Sequence, residues 1–113
     1  MDERVDEYMN FLAVEKGVSR HTLEAYGRDL ARMAEFLREQ GIRSAECVDQ
    51  DAILRYCAEL RKAGLSANSV NRALAAIRGL FRYLLREKRI ERNPAADIEL
   101  ARFEAERLLR VVS

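Results

Sequence analysis

The 113 residues are 49% apolar, enough for one domain with a real core and too few for two. One proline, five glycines and no long run alternating apolar with polar residues leave little room for a β-sheet, so an all-α chain is expected. The formal net charge is only +1, so binding to a polyanion must rest on how charge is distributed. Cys47 and Cys57 lack C-x-x-C spacing and only one histidine is present, which supports neither a disulfide framework nor a zinc site. No cofactor is expected, and a reducing cytoplasm fits best. There is no apolar run long enough for a membrane span and no basic-then-apolar leader at Met1, so neither a span nor a signal peptide is expected.

Asp2 and Glu3 place negative charge where a first helix begins, and Val5, Tyr8, Met9 and Leu12 form its apolar side before Gly17 stops it. Ser19 then stands at an N-cap position before a periodic segment reaching Gln40, with Gly41 just beyond its end. Leu23, Tyr26, Leu30, Met33 and Leu37 make the core side of this second helix, and His21, Ala25, Arg28 and Arg32 lie opposite. Its start, with free backbone N–H groups beside Ser19, Arg20, His21 and Thr22, has the chemistry of a phosphate clamp, added to the capping that Ser19 provides in any case. Ile42 and Val48 are expected to pin the connection that follows. A third helix runs from an Asp49 cap to Lys62, with Ile53, Cys57 and Leu60 inward and Gly64 as its stop.

From Leu65 to Arg92 the apolar residues Val70, Leu74, Ile77, Phe81 and Leu84 recur at steps of three and four, which defines one face of a fourth helix. Ser66 caps it, Leu65 staples onto Val70, and Ser69 repeats the hydroxyl chemistry of the Ser19 region. After Arg89 the run Ile90-Glu91-Arg92-Asn93-Pro94 is expected to break it. The opposite face carries Asn68, Asn71, Arg72, Arg82 and Arg86, interrupted only by Ala75 and Gly79, whose small size is expected to leave the helix backbone open to a large partner. This stretch holds seven basic and two acidic residues, whereas residues 1–64 hold ten basic and thirteen acidic. Arginines on the outer face of an amphipathic helix are also ordinary solvated residues, but a long helix with Arg, Asn and small residues on its free side suits a DNA major groove.

Ser19-x-x-Thr22-x-x-x-Tyr26-x-x-Asp29-Leu30, Ser66-x-x-Ser69-Val70-x-Arg72, Ile77-Arg78 with Phe81 to Leu84, and Ile90-x-x-Asn93-Pro94 together resemble the N-terminal core-binding domain of tyrosine recombinases, most nearly the Xer type. The resemblance covers about Val5 to Ile98. It implies a SAM-like four-helix bundle over residues 1–94, forming half of a clamp on duplex DNA, with the second and fourth helices at the major groove. Residues 95–113 would then be an interdomain linker or tail, able to form a helix. Its apolar residues Ile98, Leu100, Phe103, Leu108, Leu109 and Val111 would dock on the same molecule or on a neighbouring subunit, the latter making a homo-oligomer. Leucines and alanines stand where such recombinases usually carry Leu-Pro pairs.

The resemblance further implies partner recombinase subunits in a synaptic tetramer, DNA integration or chromosome partition at cell division, and a catalytic domain that this chain lacks. His21 is not followed by the family's His-x-x-Arg spacing, so no catalytic residue is assigned. The expected DNA-contacting residues are Ser19, Arg20, His21, Thr22 and Arg28 on the second helix, and Ser66, Asn68, Ser69, Asn71, Arg72, Arg78, Arg82 and Arg86 on the fourth. Two other classes stay open: a helical protein-interaction module meeting an acidic partner, and a small helix-turn-helix regulator, which the length of the fourth helix disfavours.

Overall fold

The computed structural model describes residues 1–98; of the expected tail, Ile98 docks in the core of the same molecule, and Leu100, Phe103, Leu108, Leu109 and Val111 lie outside the described residues. Among the described residues four helices form: α1 Asp2–Val14, α2 Arg20–Glu39, α3 Gln50–Lys62 and α4 Ala67–Arg86, with one 3-10 turn at Ala45–Cys47 between α2 and α3. Among the described residues there is no strand, and no helix is long and apolar enough to cross a membrane. The fold is all-α, as composition and periodicity require.

Starts and stops follow local chemistry. The Ser19, Asp49 and Ser66 side chains accept from the N–H groups of Thr22, Ala52 and Ser69, so α2, α3 and α4 each begin at the expected cap. Ser66→Ala should lower stability by about 1 kcal/mol, measurable by urea denaturation. At the other ends, Gly41 and Gly64 take positive φ of 79° and 97° and let the chain reverse. Ile42 N–H then reaches Leu37 O at 2.8 Å and Leu65 N–H reaches Leu60 O at 3.1 Å, the six-to-one bond of a Schellman stop.

The end of α4 differs from expectation. It stops at Arg86, before the expected break after Arg89, because Lys88 adopts φ 60° and Arg89 N–H bonds to Leu84 O at 2.9 Å. A lysine thus performs the role that glycine has elsewhere, and no turn residue in the sequence announces it. The following segment folds back, burying Ile90, Ala95 and Ile98 in the common core.

α4 lies at the centre of that core. Its Val70, Ala76, Ile77, Leu80, Phe81 and Leu84 are fully buried, and α1, α2 and α3 all pack on it. Leu30, Met33 and Leu37 of α2, Ile53, Tyr56 and Cys57 of α3, and Val5, Tyr8 and Leu12 of α1 complete the cluster. Val48 is buried and Ile42 half-buried, so the connection is pinned where expected. Leu23 and Tyr26, expected in the core, are only half-buried, since α2 turns their side towards the rim of the bundle.

Candidate nucleic-acid interface

The two helix starts are built alike. Ser19 Oγ accepts from Thr22 N–H at 3.3 Å and donates to Thr22 Oγ1 at 3.0 Å; Ser66 Oγ accepts from Ser69 N–H at 3.2 Å and donates to Ser69 Oγ at 3.1 Å. Each cap therefore satisfies the third N–H of its helix and leaves the first two, those of Arg20 and His21 and of Ala67 and Asn68, facing outwards with the positive end of the helix dipole. Arg20 leans back to Glu24 at 3.3 Å, so its charge is partly spent within α2. His21 and Asn68 are exposed, and Thr22 and Ser69 are half-buried by the cap they share.

Further along α2, Arg28 and Arg32 are exposed, and among the described residues neither makes an ion pair. Asp29 lies between them and is 3% exposed, the one charged residue in the buried set. It meets Arg72 of α4 in a two-point bridge: Nε donates to Oδ2 at 2.9 Å and Nη2 to Oδ1 at 3.1 Å. The bridge ties the two helices together and holds the Arg72 guanidinium above its ordinary pKa, chiefly through the Asp29 hydrogen bonds and charge. The Arg72 side chain is still 46% exposed. Arg82 stands on the same half of α4, about 80° round the helix from Arg72, exposed and without an ion pair among the described residues. Tyr26 is within electrostatic range of Arg72 and of Tyr8, and Arg82 of Tyr8.

Three features depart from a bare cationic stripe. Gly79 does not leave the α4 backbone open: a Cβ built there would overlap the hydroxyl of Tyr8, which α1 lays across it. Gly79 is small because Tyr8 is buried against it, and the expected approach of a large partner at this point is closed. Arg86 turns over the Phe11 ring at 4.7 Å and the Tyr83 ring at 5.6 Å, and it lies 3.5 Å from Glu87. Arg78 lies off the stripe, half-buried, with its Nε sequestered and unbonded. Asn71 is exposed beside Arg72.

Sequence reasoning left Asp29, Arg32 and Tyr8 out of the site. Arg32 was legible as the next member of the His21, Ala25, Arg28 series. The signal for Asp29 was an acid set beside Leu30, at the edge of the apolar face. For Tyr8 over Gly79 there was no signal, since the contact joins two helices that are far apart in the chain.

Burial pushes the phenols of Tyr8, Tyr56 and Tyr83 up, away from the deprotonated form. Tyr56 also has a buried hydroxyl with no hydrogen-bond partner. Two results follow for Tyr56→Phe. At neutral pH it should stabilise the fold by about 1 kcal/mol, the usual cost of an unsatisfied buried polar group. In the alkaline range the native protein, whose phenol pKa is raised, holds its proton while the unfolded chain loses one above about pH 10. Stability therefore falls as pH rises through that range, by about 1 kcal/mol per pH unit for one phenol, and Tyr56→Phe should flatten the fall. Urea denaturation at pH 7, pH 9 and pH 11 measures both.

Residues 5–88 match the family described as "Phage integrase, N-terminal SAM-like domain". Among curated proteins the chain is similar to tyrosine recombinase XerD of Halalkalibacterium halodurans, 35% identical over 88% of this chain and 34% of that protein. It is similar also to tyrosine recombinase XerC of Azotobacter vinelandii, 38% identical over 87% of this chain and 33% of that protein. A third relative, tyrosine recombinase XerC of Xylella fastidiosa, is 36% identical over 87% of this chain and 33% of that protein. The chain thus spans about a third of the length of these relatives. With α1, α2 and α3 packed around a central α4, and the family match running from α1 through α4, the chain belongs to the phage integrase N-terminal SAM-like domain family.

Proposed function

We propose that this chain binds duplex DNA through α2 and α4, as the DNA-clamping part of a site-specific tyrosine recombinase of the Xer kind. The observation that carries the reading is the Asp29–Arg72 bridge, which locks α2 and α4 into one surface with the uncompensated Arg28, Arg32 and Arg82 around it. The similarity to the XerC and XerD recombinases supports it, and extends it to the whole protein. Strand cleavage and rejoining would belong to a further domain, reached through the segment 95–113. The partners would be double-stranded DNA and the other recombinase subunits of a synaptic tetramer, in the cytoplasm, in chromosome partition or DNA integration. A homo-oligomer held through the tail is part of the same proposal.

The electrostatics specify a test. Each neutralised phosphate contributes about −0.9 to the slope of log affinity against log salt. Arg20, Arg72 and Arg86 already have carboxylate neighbours in the free protein. Arg28, Arg32 and Arg82 thus set an expected slope of about −3, shallower than the −5 or so for five or six phosphates. Titrating a duplex between 50 and 200 mM salt reads it. A flat titration, or displacement by an acidic polypeptide as readily as by duplex, would assign the surface to a protein partner instead.

A further inference from the structure

The Asp29–Arg72 bridge also decides what kind of contact Arg72 makes. A guanidinium has five N–H donors. Asp29 takes the side-on pair, one from Nε and one from Nη2. What remains is both hydrogens of Nη1 and the second of Nη2, a fork on the outer edge of a side chain that is 46% exposed. This fork matches the O6 and N7 acceptors of guanine in the major groove. Two further properties point the same way. The buried carboxylate cancels the arginine's charge, so Arg72 has little to gain from a phosphate by counterion release, while Arg28, Arg32 and Arg82 keep their full charge for that purpose. The bridge also holds the long side chain in one conformation before any ligand arrives, so it cannot swing to the nearest phosphate, and little of its freedom is left to lose on binding. Ala75, exposed one turn further along α4, leaves room beside the fork.

We propose that Asp29 is a positioning residue that makes Arg72 a reader of a single guanine rather than a phosphate anchor. This rests on the DNA-binding reading above. A positively charged, freely rotating arginine would favour backbone contacts on any sequence. A neutralised, fixed fork favours one base edge.

The test uses the full 113-residue chain and a duplex library with a randomised centre. Selected duplexes are sequenced, and affinities are then measured for the preferred duplex and its single-base variants at several salt concentrations. The wild-type chain should discriminate against substitution of one guanine by about 5- to 100-fold. Asp29→Asn should reduce that discrimination to under about threefold while steepening the salt slope by about 0.9, because the freed guanidinium carries an uncancelled charge to a phosphate. Arg72→Lys should lose the same guanine preference. The double variant Asp29→Asn with Arg72→Gln keeps a neutral, hydrogen-bonded pair; it should lose the preference and retain the wild-type slope, with helical circular dichroism confirming the fold. An Asp29→Asn chain that keeps its guanine preference, or that binds every duplex more weakly by one common factor, overturns the proposal and leaves DNA binding standing. A wild-type chain that binds no duplex overturns the DNA reading and this inference with it.

Discussion

Arg72→Ala should lower the unfolding free energy by about 2–3 kcal/mol. The reason lies at Asp29: its carboxylate is 3% exposed, and Arg72 supplies both of its side-chain hydrogen bonds. Removing one partner of such a pair leaves an uncompensated buried charge, which costs about 3–5 kcal/mol when both partners are fully buried. Because the Arg72 side chain is 46% exposed, water can reach the vacated edge, and the expected figure falls below that range. Asp29→Ala with Arg72→Ala together should recover most of the loss, since the pair's own attraction roughly offsets its desolvation. Urea denaturation of the four proteins closes the cycle. If Arg72→Ala alone were as stable as the wild type, the bridge would be ornamental and α2 and α4 would need another tie. DNA affinities of Arg72 variants have to be measured below the onset of their unfolding.

Gly79→Ala should destabilise by about 1–3 kcal/mol, the range for overpacking, although alanine is the better helix former by about 1 kcal/mol. The added methyl overlaps the Tyr8 hydroxyl. That ring cannot simply swing aside: it is buried, 5.5 Å from the Tyr83 ring and 6.4 Å from that of Phe11. In a Tyr8→Phe background the hydroxyl is gone and the nearest ring carbon lies 3.2 Å from the new Cβ, a contact still tight but no longer an overlap, so Gly79→Ala should cost clearly less there. The coupling between the two sites should therefore exceed about 1 kcal/mol, which denaturation of the single and double variants measures. An equal cost in both backgrounds would mean that the strain lies elsewhere.

The residues proposed for DNA contact divide by how they came to light. Ser19, Thr22, Ser66 and Ser69 are legible from spacing alone, because a cap acts within three residues of itself. The exposed stripe of Asn68, Arg72 and Arg82 is equally legible, since helical period decides which side chains share a face. What each arginine does there is not legible in that way. Arg72 meets Asp29 across 43 residues, Arg86 lies over the Phe11 ring of α1, and Arg82 is left with its charge uncancelled. No local pattern distinguishes these three.

By itself the sequence determined that the chain is helical, where α2, α3 and α4 begin, which faces are apolar, and that positive charge gathers on α4. Period, capping and composition are short-range, and they act before any helix meets another. The tertiary structure alone decided that Gly79 is a seat for Tyr8, that a left-handed Lys88 follows the end of α4, and that a buried aspartate holds one arginine of the stripe and leaves its neighbours free. The physical reason is that a side chain's effective charge, and the space above a glycine, belong to whatever the fold sets beside them.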